Sequence, residues 1–292
     1  MTHPKIATAM LLAVTAAVAS AAPITPALGS TITYDFNTPG QLTSDLTFDS
    51  GAAAVTQAAV GGLSNSGSVQ GAAGNVSQST VVAKNAVSTS TASDFTLTQS
   101  AYFKTSPANS LGTFTNQPVL ILGITDSATQ SASAQNLLPN PTANSLAGTV
   151  TVNNPNNSGN ITLEFDGFQT GDIGPFGPPT TVTVAPDSWL FFEVDYAYES
   201  GADQWRLTYT LSESDADGVV GTQLFNLTLN GAVRSNLFGA DPDLYGWFGT
   251  DTQLDSSVTA FDNITLVGVI PEPGSLGLLS LGGLAMLRCR RG

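Results

Sequence analysis

Three groups of side chains have the types and spacing to do chemistry. The first lies in residues 189–199, WLFFEVDYAYE, where Glu193, Asp195 and Glu199 occupy alternate positions. Paired carboxyl groups carry out glycoside hydrolysis, standing about 5–5.5 Å apart in retaining enzymes and about 6.5–9.5 Å apart in inverting ones. Glu193 and Glu199 are six residues apart, about 20 Å along a strand, so they cannot form such a pair. Glu193 and Asp195 stand closer, but the solvated face of a half-buried strand is the plainer account of all three. The second group is Asp215-Ala-Asp217-Gly218, with Glu213 before it. It opens like a calcium loop but lacks the later ligands and the terminal bidentate Glu. Asp and Gly are also what a hairpin turn requires, so both readings stand, and Asp241-Pro-Asp243 has the same two. The third group is aromatic: Tyr245, Trp247 and Trp189, all read as lying near loops. A pyranose packs its apolar face on such rings, and a sandwich core also uses them. Asp262 and Asn263 are read as ordering the last strand rather than as a site.

What is missing narrows the chemistry further. The only histidine, His3, and the only cysteine, Cys289, fall in the two ends of the chain. Residues 22–270 therefore offer no thiol nucleophile, no imidazole base, no disulfide and no His- or Cys-held metal. The same residues hold 21 acidic against four basic side chains (Lys84, Lys104, Arg206 and Arg234), a net charge of −17. Such a field repels nucleic acid and anionic polymers and is compatible with neutral glycans and divalent cations, so the one cofactor expected is Ca²⁺, if any.

The elements that must hold these residues read as strands. Phe192, Val194, Tyr196 and Tyr198 point one way, with Glu193, Asp195, Ala197 and Glu199 the other. After a turn at Ser200–Gln204, Trp205, Leu207, Tyr209 and Leu211 face inward and Arg206, Thr208 and Thr210 outward, which predicts a hairpin. A second turn, Ser212–Gly221, leads to alternation on Phe225, Leu227 and Leu229, and Val258–Val267 is the closing strand. Earlier, Thr31–Phe36, Asp94–Gln99 and Val119–Ile124 are short β-like runs. Gly51–Thr91 and Ser127–Ser145 have few large apolar residues and read as surface loops or weak edge strands. An all-β chain with such regular turns is a sandwich or barrel.

Both ends carry addresses. Met1–Ala21 has a positive start at Lys5, a short apolar run Ile6–Val18 and small residues before a cut between Ala21 and Ala22, the pattern of a signal peptide. The C-terminus reads Pro271-Glu272-Pro273, then an apolar segment over residues 274–287, then Arg288, Arg290 and Arg291. Fourteen helical residues span about 21 Å, short of a bilayer core of about 30 Å. In order, spacing and position this tail resembles the PEP-CTERM sorting signal of Gram-negative bacteria. The resemblance implies a transmembrane sorting helix at 274–287 and a partner exosortase, an integral-membrane enzyme that processes the tail near the PEP. It also implies passage through the secretion translocon and anchoring at the inner membrane before processing. The final place would be the cell surface or the extracellular matrix, in bacteria that secrete polysaccharide.

The opening ITYDFN, the Trp/Tyr hairpin and the closing AFDNITL resemble the concanavalin A-like jelly-roll sandwich of lectin and glucanase domains, over roughly residues 30–268 after a linker at 22–29. That resemblance implies two packed antiparallel sheets, one of them concave and often a sugar-binding face. The spacing at Glu193 departs from the E-x-D-x-E and E-x-D-x-x-E strands of the glucanase-like enzymes. The expectation is a non-enzymatic surface or matrix protein that binds or structures extracellular polysaccharide. A matrix component with no defined glycan ligand and an Asp/Glu-based glycoside hydrolase are its rivals.

Overall fold

Alternation with a period of two carries almost all of the described residues into strands. A computed structural model describes residues 31–48, 55–71, 78–106, 114–127, 144–154, 160–169, 180–233, 237–239, 242–251 and 258–269. The signal peptide with Ala21 and Ala22, the sorting tail from Pro271 to Arg291, and Asp241 lie outside the described residues.

Among the described residues the order is β1 (Thr31–Tyr34), α1 (Gln41–Ser44), β2 (Leu46–Phe48), β3 (Val55–Ala58), a 3₁₀ turn (Leu63–Asn65), β4 (Ser68–Gly71), β5 (Gln78–Ser88), β6 (Phe95–Thr105) and β7 (Phe114–Thr125). There follow β8 (Ser145–Asn154), β9 (Ile161–Gln169), β10 (Thr180–Val184), β11 (Trp189–Glu199), β12 (Gln204–Ser214), β13 (Val220–Val233), β14 (Asp243–Asp251) and β15 (Val258–Val269). One sheet has the order β13-β12-β11-β6-β15-β4-β3, with β1 also paired to β15; the other runs β10-β9-β8-β7-β14-β5-β2. Every pairing is antiparallel.

The core lies between the sheets and is built from the residues whose alternation marked them. Phe192, Val194, Tyr196 and Tyr198 of β11 and Trp205, Leu207, Tyr209 and Leu211 of β12 are all buried, while Glu193, Asp195, Ala197 and Glu199 are part-exposed on the other face. Phe165 stacks on Phe225 with ring centres 4.6 Å apart, and Trp205 meets Phe95 and Phe238 edge to face at 5.4 Å. Two buried hydrogen bonds tie the sheets together: Tyr196 Oη donates to the Leu122 carbonyl at 2.7 Å, and Gln99 Nε2 to the Trp247 carbonyl at 2.9 Å.

The region 51–91 departs from the sequence reading. It holds β3, β4 and β5, and β5 is an eleven-residue strand between β14 and β2, not a loop or an edge. Its alanines, serines and threonines give no large-residue alternation, yet a strand flanked on both sides takes its stability from ladder hydrogen bonds and from what its neighbours pack on it.

Candidate functional site

The acidic face of β11 forms as its alternation requires, and its register explains each carboxylate. Asp195 stands between Thr98 of β6 and Thr208 of β12, and Thr98 Oγ1 donates to it at 2.5 Å. Glu193 faces Ser100 and Thr210 in the same way. Burial, and then the neighbouring Asp195, push its carboxyl above the usual range. Glu199 is ion-paired to Arg206 and accepts from Gln204 Nε2 at 3.1 Å. The strands beside Glu193 and Asp195 thus present hydroxyls rather than a facing carboxylate, and neither residue lines a described pocket.

The two acidic loops are separate. Asp215 closes the β12–β13 turn: its Oδ1 accepts the Asp217 and Val219 amides at 2.9 and 2.8 Å, and Gly218 takes the left-handed conformation at φ +81°. Asp217 accepts from Ser64 Oγ at 2.8 Å, joining this turn to the 3₁₀ turn. Asp243 begins β14 and accepts from Ser88 Oγ at 2.6 Å. Ser88 leads within a few residues to β6, which starts beside the Glu199–Gln204 end of β11 and β12. Asp215 sits at the far end of the eleven-residue β12, about 35 Å away, so Asp243 and the Asp215–Asp217 turn cannot share one cation. Among the described residues no three His, Cys, Asp or Glu side chains gather as a metal site.

The aromatics are divided between the sheets. Trp189 begins β11, packs on Leu63 and Ala260 beside Tyr102, and is 7% exposed. Tyr245 and Trp247 are the third and fifth residues of β14. Gly246 and the preceding Asp-Pro-Asp obscured a strand that alternates Leu244, Gly246 and Phe248 inward with Tyr245 and Trp247 outward. Both side chains lie on the face of the seven-stranded sheet turned away from the main core, in a buried cluster with Ile121 of β7 and Ala147 of β8, where Trp247 is 1% exposed. The Trp247 indole lies against Gly123: a Cβ there would be 2.3 Å from its Cε2 and Nε1. Its Nε1 is buried and has no hydrogen-bond partner, while Tyr245 stays part-exposed. Thr149, opposite Ile121, and Glu164, opposite Thr151, extend the same face. Gly123, Ile121 and Ala147 went unnoticed in the sequence because an all-apolar run such as VLILGIT does not announce which face its side chains take.

Asp262 is wholly buried in β15, as an organiser of that strand should be. Its Oδ2 accepts the Leu63 amide at 2.8 Å and Ser66 Oγ at 2.9 Å, and its Oδ1 the Asn263 amide at 2.7 Å. Burial nevertheless raises its pKa, since the three hydrogen bonds only partly offset the loss of solvent.

Comparison with known proteins bears on the two ends of this description differently. By sequence, no curated protein matches the chain. By structure, the body is similar to the winged bean acidic lectin complexed with methyl-α-D-galactose (12% identity, 83% of this chain and 100% of that one, TM-score 0.50) and to the basic winged bean lectin with Tn-antigen (12%, 83% and 100%, 0.49). At that identity the likeness concerns the fold, a concanavalin A-like jelly-roll sandwich. Residues 269–291 match the PEP-CTERM protein-sorting motif. The chain therefore carries a C-terminal PEP-CTERM sorting tail, which marks it for export and for handling by an exosortase.

Proposed function

We propose that this exported protein binds neutral extracellular polysaccharide without cleaving it, at the outer face of the seven-stranded sheet. The observation that carries the reading is the part-exposed Tyr245 ring on the outer face of β14. Outward positions of a sandwich sheet are normally polar, yet the interior strand β14 carries two aromatic side chains there beside Ile121: Trp247 is buried in that cluster, and Tyr245, packed against it, stays part-exposed. A pyranose packs its C–H face on such a ring, so Tyr245 is the side chain that would meet the sugar, with the buried Trp247 holding it in place. The lectins that share the fold, one solved with methyl-α-D-galactose, agree with this choice by analogy alone. The net charge of −17 over residues 22–270 favours a neutral polymer over an anionic one. Calcium enters the reading at the Asp215–Asp217 turn, where the Oδ2 atoms of both residues take part in no described hydrogen bond. Surface or matrix is the place such a protein would work after its tail is processed.

The test is a glycan array on the purified chain, run with Ca²⁺ and with chelator, and with released sugar assayed. Binding without release, lost in Tyr245→Ala, supports the reading. Release of sugar would move attention to Glu193 and Asp195. No binding in either condition would leave a structural matrix protein with no defined ligand.

A further inference from the structure

Elsewhere in the molecule the chain builds a pocket that none of this uses. Between the segment that joins β1 to α1 and the edge strand β3 there is a cavity of about 480 Å³, within the range of small-molecule sites. Phe36, Leu42 and Ala58 line it with apolar groups, and Thr56 and Asn37 bring a hydroxyl and an amide. No lining residue is charged. The walls are held in place by Gln57, whose Oε1 accepts the Leu42 amide at 3.0 Å and whose Nε2 donates to the Phe36 and Thr38 carbonyls, each at 2.7 Å. Gln41 Oε1 accepts the Phe36 amide at 2.6 Å. These bonds hold Phe36, a buried residue, at φ +54°, a left-handed conformation uncommon for an aromatic residue. Strained backbone of this kind persists only where its surroundings over-determine it, and it concentrates at binding sites.

We propose that this pocket is a second site, independent of the Tyr245 face, for one neutral hexopyranose unit. An uncharged lining inside a strongly acidic protein selects against anions by the surrounding field and gives a cation no partner. The Thr56 hydroxyl and the Asn37 amide beside Phe36, Leu42 and Ala58 match a ring that carries hydroxyls on its edge and C–H groups on its faces. The pocket lies at the β3 edge of the eight-stranded sheet, whereas Tyr245 and Trp247 lie on the outer face of the other sheet. Two sites so placed let one molecule join two polysaccharide chains, which goes beyond binding one.

Ala58 and Ala59 put reporter methyls in the pocket, and Ala59 is exposed, so Ala59→Trp fills the mouth without entering the core. The full chain, ¹³C-methyl-labelled at alanine, is titrated with methyl galactoside, methyl glucoside and methyl mannoside. The expected result is saturable shifts of the Ala58 and Ala59 methyls by one of them, weakened about tenfold or more by A59W and unchanged by Y245A. With both sites intact the chain aggregates a neutral polysaccharide, and A59W still binds it but no longer aggregates it. Absence of a saturable shift with all three sugars, in protein whose A59W form melts like the wild type, overturns the proposal. Loss of the shifts in Y245A also overturns it, by showing one site rather than two. Loss of array binding in Y245A with the methyl shifts intact keeps the second site. Shifts without any effect of Y245A on the array would sink the first reading alone.

Discussion

Replacing Gly123 by alanine tests the placement of the Trp247 indole more directly than any change to the tryptophan itself. The added Cβ would stand 2.3 Å from Cε2 and Nε1 and 2.7 Å from Cζ2. Ordinary van der Waals contact begins at about 3.5 Å, so the indole must move by roughly 1 Å. It has little freedom to do so, because Trp247 is in register with Gly123 of β7 and Val82 of β5, and its carbonyl is held by Gln99. Overpacking of this kind costs about 1–3 kcal/mol. At about 2–4 °C per kcal/mol for a domain of this size, G123A should melt about 2–12 °C below the wild type, with an altered near-ultraviolet circular dichroism from the displaced indole. Gly201→Ala, whose Cβ meets nothing within 4 Å, should leave both unchanged. In a Trp247→Ala background, already about 3–5 kcal/mol less stable, G123A should cost nothing further, and this coupling is the decisive reading. A G123A protein that melts with the wild type, or whose cost persists without the indole, would refute the outward Trp247 packed on Gly123.

Other changes follow from the same geometry. Asp262→Asn puts an amide where an acceptor faces the Leu63 and Asn263 N–H groups, so it should cost about 1–3 kcal/mol in chemical denaturation. Glu193 has a raised pKa in the folded protein, so its carboxyl contributes stability below the unfolded value of 4.5 that is lost as the pH rises through the folded one. Glu193→Gln should therefore melt above the wild type at neutral pH, with the gap closing in melts at about pH 4; a gap constant with pH would contradict the shift. Saturating Ca²⁺ should raise the melting temperature, chelator should reverse it, and Asp217→Ala should abolish the increment. Superimposable melts with calcium and chelator would remove calcium from the proposal.

The sequence disclosed the hairpin of β11 and β12 almost residue by residue, because one face of each strand is large and apolar and the other charged or hydroxyl-bearing. The same logic failed for β5, whose runs of Ala, Ser, Thr and Val differ too little in size and polarity for either face to stand out. It failed in another way at β14, where both faces carry aromatics, so alternation of hydrophobicity vanishes although alternation of direction does not. Trp247 and Tyr245 were legible as candidates by type, but their company, Gly123 and Ile121 from a strand more than a hundred residues earlier, is set by sheet order. The pocket at Phe36 left no trace in composition, since it is made by two glutamines that hold backbone groups rather than by any reactive side chain.

The register of β15 also determines how the protein bears force. This strand is laddered to β6 from Val258 opposite Thr105 to Val269 opposite Thr96, and on its other side to β1 and β4. The sorting motif begins at that same Val269, so strand and tail share a residue. A pull on the tail is therefore a pull along the axis of an interior strand, whose hydrogen bonds to neighbours on both sides would be loaded together in shear rather than broken one after another as in a peeled edge. Resistance to such a load is a matter of unfolding rate rather than of equilibrium stability. A body joined to its tail through β15 in this way is built to take tension along that strand.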